Sequence, residues 1–341
     1  MPLQLSEFDY SLPDELIARQ PVSQRDRSRL MLVDRATGRI EQHSFQELPR
    51  LLEDTDLLVL NDTRVVPVRL PARAGKRTLE VVLLREVETG VWEALIKPGR
   101  KAPVSTSLEF DECDLKAEVI GTTASSIRLI RFLEVRGFRD TLERIGRMPL
   151  PPYIKRSLRA DPQLDRERYQ TVFARHSGSV AAPTAGLHFS KDLLSRLEHV
   201  FLTLHVGYGT FQPVSTERVE EHEMDAEYYR LDIESAARIR EQKSSGRRIV
   251  SVGSTSTRVL EQVVLSHGQI CRSEAWTSLF IFPGFPFQVV DCLLTNFHLP
   301  KSTLFLLVCA FAGTELMQDA YRLAVEREYR FCSYGDAMLI V

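Results

Sequence analysis

The stretch from residue 66 to residue 133 restricts the fold of this chain most, because it consists of short alternating runs of apolar and polar residues separated by glycine or proline. Alternation with a period of two puts successive side chains on opposite faces of a strand. Regular short strands with turn residues between them are typical of a small barrel or sandwich. We therefore predict an inserted antiparallel β-barrel domain, with strands at 78–84, 91–96, 107–110, 116–120 and 127–132.

The sequence on either side of that stretch mixes helical and strand patterns. A length of 341 residues is typical of about two domains of roughly 150 residues each. We predict an α+β, or mixed α/β, larger domain formed by residues 1–65 and 149–341, split in sequence by the small barrel domain at 66–148. Strands are expected at 29–34, 39–43, 56–61, 201–204, 248–253 and 337–341. Helices are expected at 137–146, 164–173, 190–199, 233–244, 255–265, 302–312 and 314–329.

Charge and cysteine content limit the possible function classes. The formal net charge of −2 argues against a protein coated in basic surface, although a local basic patch is compatible with it. The five cysteines form no C-x-x-C pair, and an odd, scattered set predicts reduced thiols and a cytoplasmic location. The longest apolar run, 304–312, is far shorter than the ~20 residues that span a bilayer, so no membrane association is expected.

Two turns rich in small residues, each beside a histidine, form the first candidate site. Small residues let the backbone approach a ligand closely, and histidine is the side chain that most readily moves a proton near neutral pH. A short helix and an alternating strand lie between the turns, and strand-to-turn junctions commonly carry functional groups. The candidate residues are Thr184, Gly186, His188, His205, Gly207 and Gly209.

Two further segments place polar groups where a helix is expected to begin. One is a strand followed by a hydroxyl-rich turn with Thr255 and a helix start with Arg258. Free backbone N–H groups there can hold a carboxylate or phosphate, although an ordinary helix cap is the simpler interpretation. The other brings Asn296, His298 and Lys301 to the mouth of a strongly apolar helix. Its polar density favours a site over a capped helix with one histidine in the core.

Several familiar signatures are incomplete in this sequence. The turn from Gly207 to Gly209 lacks the third glycine of a dinucleotide fingerprint. His222 begins a pattern like that of zinc proteases, but Ala226 stands where the second histidine should be. Lys301 follows a proline rather than the glycine of a P-loop. The sequence therefore predicts neither a dinucleotide site nor a P-loop, and no metal is expected because no ligand spacing for one is present.

Charge is distributed unevenly along the chain. Residues 128–159 hold nine Lys or Arg against three acids, a net charge of +6, whereas residues 217–241 hold nine acids against four arginines, a net charge of −5. A basic segment fits a phosphate backbone, and solvated helix faces explain it about as well. The residues expected to contact RNA phosphates are Arg144, Arg147, Lys155, Arg156 and Arg159.

Ordered motifs run nearly end to end through the chain, at 8–13, 60–64, 149–156, 169–173, 181–189, 204–211, 295–304 and 329–340. Together they resemble the S-adenosylmethionine:tRNA ribosyltransferase-isomerase family of queuosine biosynthesis. The resemblance implies transfer and isomerisation of the ribosyl part of S-adenosylmethionine onto 7-aminomethyl-7-deazaguanine at the tRNA wobble position. Epoxyqueuosine would form, with release of adenine and methionine. It also implies a mixed α/β larger domain with a smaller β-barrel, tRNA as partner and S-adenosylmethionine as co-substrate.

This implied reaction calls for a base that removes a 5′ hydrogen made acidic by the sulfonium. The histidine candidates are His188, His205 and His298, with His188 preferred because it closes the most compact small-residue turn. Carboxylates are expected near the sulfonium, and the candidates are Asp62, Glu227 and Asp336.

The methionine carboxylate of the co-substrate calls for a cation or a helix N-terminus. The candidates are Arg64, Arg258, Lys301 and the turn that contains Thr255. The small-residue turns with Thr184, Gly186, Gly207 and Gly209, together with Asn296, complete the expected co-substrate site.

The sequence departs from the family pattern at two positions and leaves two other functions open. Asp225 stands where the family usually has a histidine, which puts an essential imidazole there in doubt, and Ser254 replaces a threonine. One alternative function is a metal-dependent hydrolase that uses His188, His205, His222 and His298. The other is a non-catalytic RNA-binding protein that uses the barrel. A monomer is expected, with an oligomer left open.

Overall fold

The computed structural model describes residues 2–111, 113–123, 127–134, 136–156, 162–211 and 213–341. The strands of the described residues are β1 (Arg29–Val33), β2 (Ile40–Ser44), β3 (Leu57–Asn61), β4 (Thr63–Val65), β5 (Arg69–Ala74), β6 (Arg77–Glu88), β7 (Val91–Lys97), β8 (Ser107–Phe110), β9 (Lys116–Thr122), β10 (Arg128–Phe132), β11 (His176–Ser179), β12 (His199–Leu204), β13 (Glu227–Leu231), β14 (Ile249–Val252), β15 (Ser273–Thr277), β16 (Cys292–Asn296) and β17 (Ala337–Ile340).

The α-helices of the same residues are α1 (Leu48–Leu51), α2 (Phe138–Ile145), α3 (Pro162–Arg168), α4 (Lys191–Leu194), α5 (Ile233–Ser244), α6 (Gly253–His267), α7 (Thr303–Ala312) and α8 (Thr314–Glu326). Short 3₁₀ helices lie at Leu5–Phe8, Asp14–Leu16, Arg25–Arg27, Phe45–Glu47, Gly99–Lys101, Thr184–His188, Tyr208–Phe211 and Val219–Glu221. No single helix of the described ranges is long and apolar enough to cross a membrane. The pair α7 and α8 reaches that length and composition only with a bend of 118°.

One large sheet forms the centre of the larger domain. Its strand order is β15-β13-β12-β3-β14-β16-β17-β1-β2, and the four neighbours β12, β3, β14 and β16 run parallel. Every residue of β3, β14 and β16 is buried, as expected for parallel strands covered on both faces. Their carboxyl ends meet at one edge of the sheet, where α6 begins directly after β14. Ligands of open α/β sheets commonly bind at this edge.

The predicted antiparallel barrel is confirmed as a closed barrel with the order β10-β7-β6-β5-β8-β9. Alternate residues of its strands, such as Leu70, Val81 and Leu83, point inward and form a core separate from that of the large sheet. The sequence pattern missed β5 because Pro71 interrupts its alternation. The mixed α/β larger domain with an inserted barrel is therefore correct. The exact domain boundaries at 65/66 and 148/149 stay a prediction.

Two predicted helices are shorter than expected. The helix predicted at 190–199 ends at Leu194, because His199 already pairs with Leu58 as the first residue of β12. The helix predicted at 164–173 ends at Arg168, after which Tyr169 and Phe173 turn into two different apolar cores. In both places tertiary pairing and packing override the local helical pattern.

Candidate active site

A cleft of 540 Å³ opens at the carboxyl edge of the parallel strands. Its walls are mostly apolar and aromatic, with Tyr153, Tyr169, Phe211 and Phe297 among them. Within the described ranges, Lys301 is the one Lys or Arg that lines it, and no carboxylate does. An apolar cleft with a few polar groups is the usual form of a small-molecule site.

Five of the predicted site residues line this cleft: Thr184, Thr255, Asn296, His298 and Lys301. They come from the ends of different elements, namely the turn after β11, the start of α6, the end of β16 and the loop before α7. The sheet topology therefore brings together segments that are far apart in sequence.

Asn296 is the last residue of β16, and its side chain is held from behind. Its Nδ2 lies 3.0 Å from His188 Nε2, 3.3 Å from the Cys332 carbonyl oxygen and 3.5 Å from the Asp336 carbonyl oxygen. Its Oδ1 is buried and has no hydrogen-bond partner among the described residues. An unpaired buried acceptor costs about 1–3 kcal/mol, so this oxygen needs explaining.

His188 lies behind Asn296 and does not line the cleft. Its Nδ1 is 2.7 Å from the Ser28 Oγ, and its ring stacks on Phe45 with 5.0 Å between centroids. Burial lowers the pKa of His188 to about 3, with the charges of Arg330 and Arg25 acting in the same direction. The histidine preferred as base is therefore a neutral, enclosed group one residue removed from the cleft.

His298 lines the cleft directly. Its Nε2 lies 2.9 Å from the Thr295 Oγ1, and none of the described residues forms a hydrogen bond with its Nδ1. Its backbone is fixed by two tyrosines: the Tyr10 hydroxyl donates to its carbonyl, and its N–H donates to the Tyr321 hydroxyl over 3.1 Å. Burial lowers the pKa of His298 to about 3, so the imidazole is neutral near pH 7.

Backbone strain is concentrated at the cleft. Of the four non-glycine residues with positive φ in the described part of the chain, Lys301 (55°) and Cys332 (70°) line it. The Lys301 ammonium lies 2.5 Å from Asp9 Oδ2, with its side chain 43% exposed. Left-handed backbone at such residues is costly and commonly occurs at functional sites.

The turn at the start of α6 meets the first small-residue turn across the cleft. Gly253 has φ 86°, and a Cβ there would lie 3.4 Å from the Ala185 Cβ. The Thr255 Oγ1 is buried without a partner among the described residues. Gly186 points the other way, since a Cβ there would lie 2.8 Å from the Phe173 ring. Thr255 thus offers a hydrogen-bonding group to the cleft, whereas Gly186 allows close packing behind it.

The structure places His205 and Asp62 outside the cleft. The His205 Nδ1 lies 2.8 Å from the Thr63 Oγ1, and its ring stacks on Tyr228. Asp62 accepts a hydrogen bond from the Thr203 Oγ1 over 2.7 Å. Burial raises the pKa of Asp62 and lowers that of His205. Both side chains connect the ends of β3, β4 and β12.

Glu227 and Arg258 form a buried ion pair with each other. Glu227 also accepts the Gly207 N–H over 2.7 Å, and the Arg258 Nε donates to the Leu279 carbonyl over 2.8 Å. Neither side chain lines the cleft. Gly207 therefore binds this ion pair through its backbone N–H and not a ligand in the cleft. Gly209 lies against the Asp225 carboxylate, and a Cβ there would lie 2.2 Å from the Asp225 Oδ2.

Asp336 and Arg64 also lie away from the cleft. Asp336 accepts the backbone N–H groups of Arg29 and Arg330, each over 2.9 Å, and burial raises its pKa. Arg64 is half-exposed on β4 and lies 3.5 Å from Glu143 of α2. Asp336 thus fastens the last loop to β1, and Arg64 connects the sheet to the helix that follows the barrel.

The four histidines of the metal-hydrolase alternative are not brought together. His188, His205 and His298 have the separate partners given above, and His222 packs its ring edge-on to Phe280. The described residues contain no group of three His, Cys, Asp or Glu side chains placed to hold a metal ion. That alternative therefore has no ligand set in this part of the chain.

The basic segment is not uniform. Arg156 forms a two-point ion pair with Asp165, at 2.6 and 2.8 Å, and both side chains are largely buried. Lys155, Arg144 and Arg147 are exposed. Arg159 lies outside the described residues. Arg156 is consequently occupied within the protein, and Lys155 is better placed for a phosphate contact.

Several residues of the site escaped sequence reasoning. Tyr153 lines the cleft with its hydroxyl 2.6 Å from the Ser333 Oγ, and Ser28 holds His188 from 160 positions away. Tyr169 and Cys332 line the cleft as well. Three of these four, with Ser333, lie in the motifs that carry the family resemblance, and aromatic residues within motifs were the available signal. Ser28 had no such signal.

Three comparisons with known proteins give one answer. The family model described as queuosine biosynthesis protein matches residues 5–340. The relatives from Natranaerobius thermophilus and Thermoanaerobacter sp. are named S-adenosylmethionine:tRNA ribosyltransferase-isomerase. The first is 47% identical and the alignment covers 99% of each chain. The second is 46% identical over 99% of this chain and 100% of the relative.

A solved structure is similar as well. The crystal structure of the S-adenosylmethionine tRNA ribosyltransferase from Thermotoga maritima is 37% identical and has a TM-score of 0.56. The match covers 98% of this chain and 100% of that chain.

Proposed function

This chain belongs to the S-adenosylmethionine:tRNA ribosyltransferase-isomerase family of queuosine biosynthesis, and on that premise we propose that its 540 Å³ cleft is where the reaction takes place. The enzyme joins the ribosyl carbons of S-adenosylmethionine to the aminomethyl nitrogen of 7-aminomethyl-7-deazaguanine at the tRNA wobble position. The products are epoxyqueuosine-tRNA, adenine and methionine. The observation that carries this proposal is the convergence of Asn296, His298, Lys301 and Thr255 on one apolar cleft at the carboxyl edge of the sheet.

His298 is the base that this geometry supports best. In the tautomer whose Nε2 donates to the Thr295 Oγ1, the Nδ1 lone pair is left for the 5′ hydrogen that the sulfonium acidifies. Burial keeps the free imidazole neutral.

The remaining charges of the co-substrate fit other groups of the cleft. Lys301 is the cation of the cleft for the methionine carboxylate, which would compete with the half-exposed Asp9 for its ammonium. Since no described carboxylate lines the cleft, the sulfonium is held by aromatic faces, for which Tyr153 and Tyr169 are placed. Burial raises the pKa of Tyr153 well above its usual value, so its phenol stays protonated and can donate a hydrogen bond to the departing adenine.

The tRNA partner accounts for the exposed basic residues near the barrel. Lys155, Arg144 and Arg147 are exposed, and phosphate contacts by such residues position RNA without reading its sequence. A cytoplasmic monomer, with domains at 1–65 plus 149–341 and 66–148, completes the proposal.

The test is incubation of the purified protein with S-adenosylmethionine and tRNA that carries 7-aminomethyl-7-deazaguanine. Release of adenine and methionine in equal amounts is expected, and tRNA with an unmodified guanine at that position should give none. A non-catalytic RNA-binding protein would bind the tRNA and release no adenine. A metal-dependent hydrolase would lose its activity with a chelator, whereas the proposed reaction should be unaffected.

A further inference from the structure

We propose that Asn296 recognises the exocyclic amino group of the co-substrate's purine through its side-chain oxygen, and that His188 is a positioning residue that holds the Asn296 amide in the required orientation. This inference rests on the proposed function of the cleft. It assigns to Asn296 the selection of a 6-amino purine over a 6-oxo purine.

Two backbone carbonyls decide which way the Asn296 amide points. The side-chain atom that faces His188 also lies 3.3 Å from the Cys332 carbonyl oxygen and 3.5 Å from that of Asp336. An oxygen there would face two other oxygens, whereas the NH₂ group donates to them. The Oδ1 is consequently turned to the opposite side. It is buried and unpartnered among the described residues, on a side chain that lines the cleft.

His188 supports the same orientation. Because the Asn296 NH₂ donates to Nε2 over 3.0 Å, that nitrogen is the acceptor and the ring proton lies on Nδ1. Nδ1 then donates to the Ser28 Oγ over 2.7 Å, and Phe45 packs on the ring face. Burial keeps this ring neutral. The contact with Ser28, the residue before β1, thus fixes the tautomer of His188 and with it the direction of the Asn296 amide.

The composition of the cleft indicates which group donates a hydrogen bond to the Asn296 Oδ1. A lone amide oxygen accepts a hydrogen bond from a neutral amine, and the 6-amino group of the purine is the neutral amine of the co-substrate. The flat apolar walls formed by residues such as Phe211 and Pro183 suit a purine ring. A 6-amino group donates to Oδ1, and a 6-oxo group would set two acceptors against each other.

The experiment compares two ligands that differ at this one position, S-adenosylhomocysteine and S-inosylhomocysteine, by calorimetric titration of the full chain. The wild type should bind the 6-amino ligand about 10- to 100-fold more tightly, the usual effect of leaving a buried polar group unpaired. Asn296→Leu, with Asn296→Ala as a second variant, should bring this ratio close to one.

Asn61 provides the matched control, because it is also a buried asparagine at the end of a parallel strand but has both side-chain groups paired. Asn61→Leu should lower stability and leave the ligand ratio of the folded fraction unchanged. His188→Phe, which keeps a ring against Phe45, should reduce the ratio and raise KM for S-adenosylmethionine more than it lowers kcat. His188→Gln should restore part of the ratio, since its side-chain oxygen can accept from Asn296.

The outcomes separate this inference from the proposed function. A wild-type ratio near one, no binding of either ligand, or an unchanged ratio in Asn296→Leu or Asn296→Ala would overturn the inference. If the wild type still releases adenine from S-adenosylmethionine and precursor tRNA, the proposed function stands without it. If adenine is not released at all, the proposed function itself fails.

Discussion

The chain has two asparagines, and the structure puts them in equivalent places with opposite surroundings. Asn61 ends β3 and Asn296 ends β16, and both are 1% exposed. Asn61 uses its whole amide: its Nδ2 donates to the Leu204 carbonyl, and its Oδ1 accepts the N–H groups of Thr63 and Leu204. The Oδ1 of Asn296 accepts nothing from the described residues.

The same difference divides the whole carboxyl edge of the sheet. At the ends of β3 and β12 and at the start of β13, polar side chains are paired with one another, as Glu227 is with Arg258 and Asp62 with Thr203, and of these four only Arg258 keeps an unpaired atom, its Nη2. At the end of β16 and the start of α6, Asn296 and Thr255 keep an unpaired atom and His298 an unpaired ring nitrogen. We call the first region the saturated side, because its side chains are mostly paired and hold the strands together. The second region has polar groups left for a ligand.

The largest expected effect separates His298 from His205. His298→Ala should lower the rate of adenine release by about 10²–10⁴-fold, the usual contribution of a catalytic base, and should leave S-adenosylmethionine binding largely intact. His205→Ala should instead lower the melting temperature, because it removes the partner of Thr63. Single-turnover adenine release, corrected for the folded fraction, tests both. Similar losses of turnover in the two variants would contradict the distinction between the paired and the unpaired region of the sheet edge.

The buried ion pair tests the saturated side. Arg258→Leu leaves the Glu227 carboxylate buried without its partner, and breaking such a pair costs about 3–5 kcal/mol. The loss should appear in urea unfolding, while turnover per folded molecule stays close to that of the wild type. A fully stable variant with a raised KM would instead mean that Arg258 contacts the co-substrate.

The two buried histidines predict how stability depends on pH. In the folded protein the pKa values of His188 and His298 are about 3, against 6.5 for an ordinary histidine. Between these values the unfolded chain binds protons that the folded chain does not, so the free energy of unfolding falls as the pH drops from about 6.5 toward 3. Each such histidine contributes up to about 1.4 kcal/mol per pH unit.

The measurement is urea unfolding at several pH values for the wild type and His188→Phe. The free energy of unfolding of the variant should depend less on pH than that of the wild type, by about one proton taken up on unfolding. Identical slopes would mean that the ring of His188 is accessible to protons in the folded protein. Asp62 and Asp336, whose pKa values are raised, act in the opposite sense and are common to both proteins.

Two neighbouring basic residues give a smaller, sharper test. Lys155→Ala should weaken tRNA binding and reduce its log-log salt slope by about one unit, the value expected for one lost phosphate contact. Arg156→Ala should destabilise the fold through Asp165 and leave the slope of the folded fraction unchanged. If Arg156→Ala flattens the slope and Lys155→Ala does not, the ion pair between Arg156 and Asp165 breaks when RNA binds. Arg156, and not Lys155, would then be the phosphate contact.

The smallest effect is expected at Asp225. This exposed residue lies beside Gly209 on the saturated side, at the position where the family resemblance led us to expect a histidine. Asp225→His should change turnover by less than about tenfold, roughly 1.4 kcal/mol of barrier. A greater loss, measured at saturating tRNA, would reveal a specific role for the carboxylate.

The architecture could be read from the sequence wherever the signal was local. Alternation and turn residues gave the barrel strands other than β5, and the helix predicted at 233–244 is confirmed as Ile233–Ser244. Pro71 hid β5, and pairing with β3 replaced the end of the predicted helix at 190–199. The first failure has a local cause, the proline in the strand, whereas at the second non-local pairing determines the conformation.

The sequence could predict some of the residues that belong to the candidate site, but not how those residues are arranged. The sequence brought forward both Asp62, as a carboxylate for the sulfonium, and Asn296, as a polar residue at the mouth of the apolar helix. Which of them faces the cleft depends on contacts such as that between Ser28 and His188, separated by 160 positions. No spacing rule in one sequence distinguishes a paired side chain from an unpaired one.

Exchange of solvent hydrogen into the 5′ position of S-adenosylmethionine measures proton removal itself, and it tests most directly whether the reaction occurs at the end of β16. The wild type should exchange, His298→Ala should lose exchange by about 10²-fold or more, and His205→Ala should exchange at the wild-type rate per folded molecule. Wild-type exchange in His298→Ala, together with its loss in His205→Ala, would contradict this account and move the chemistry to the saturated side of the sheet.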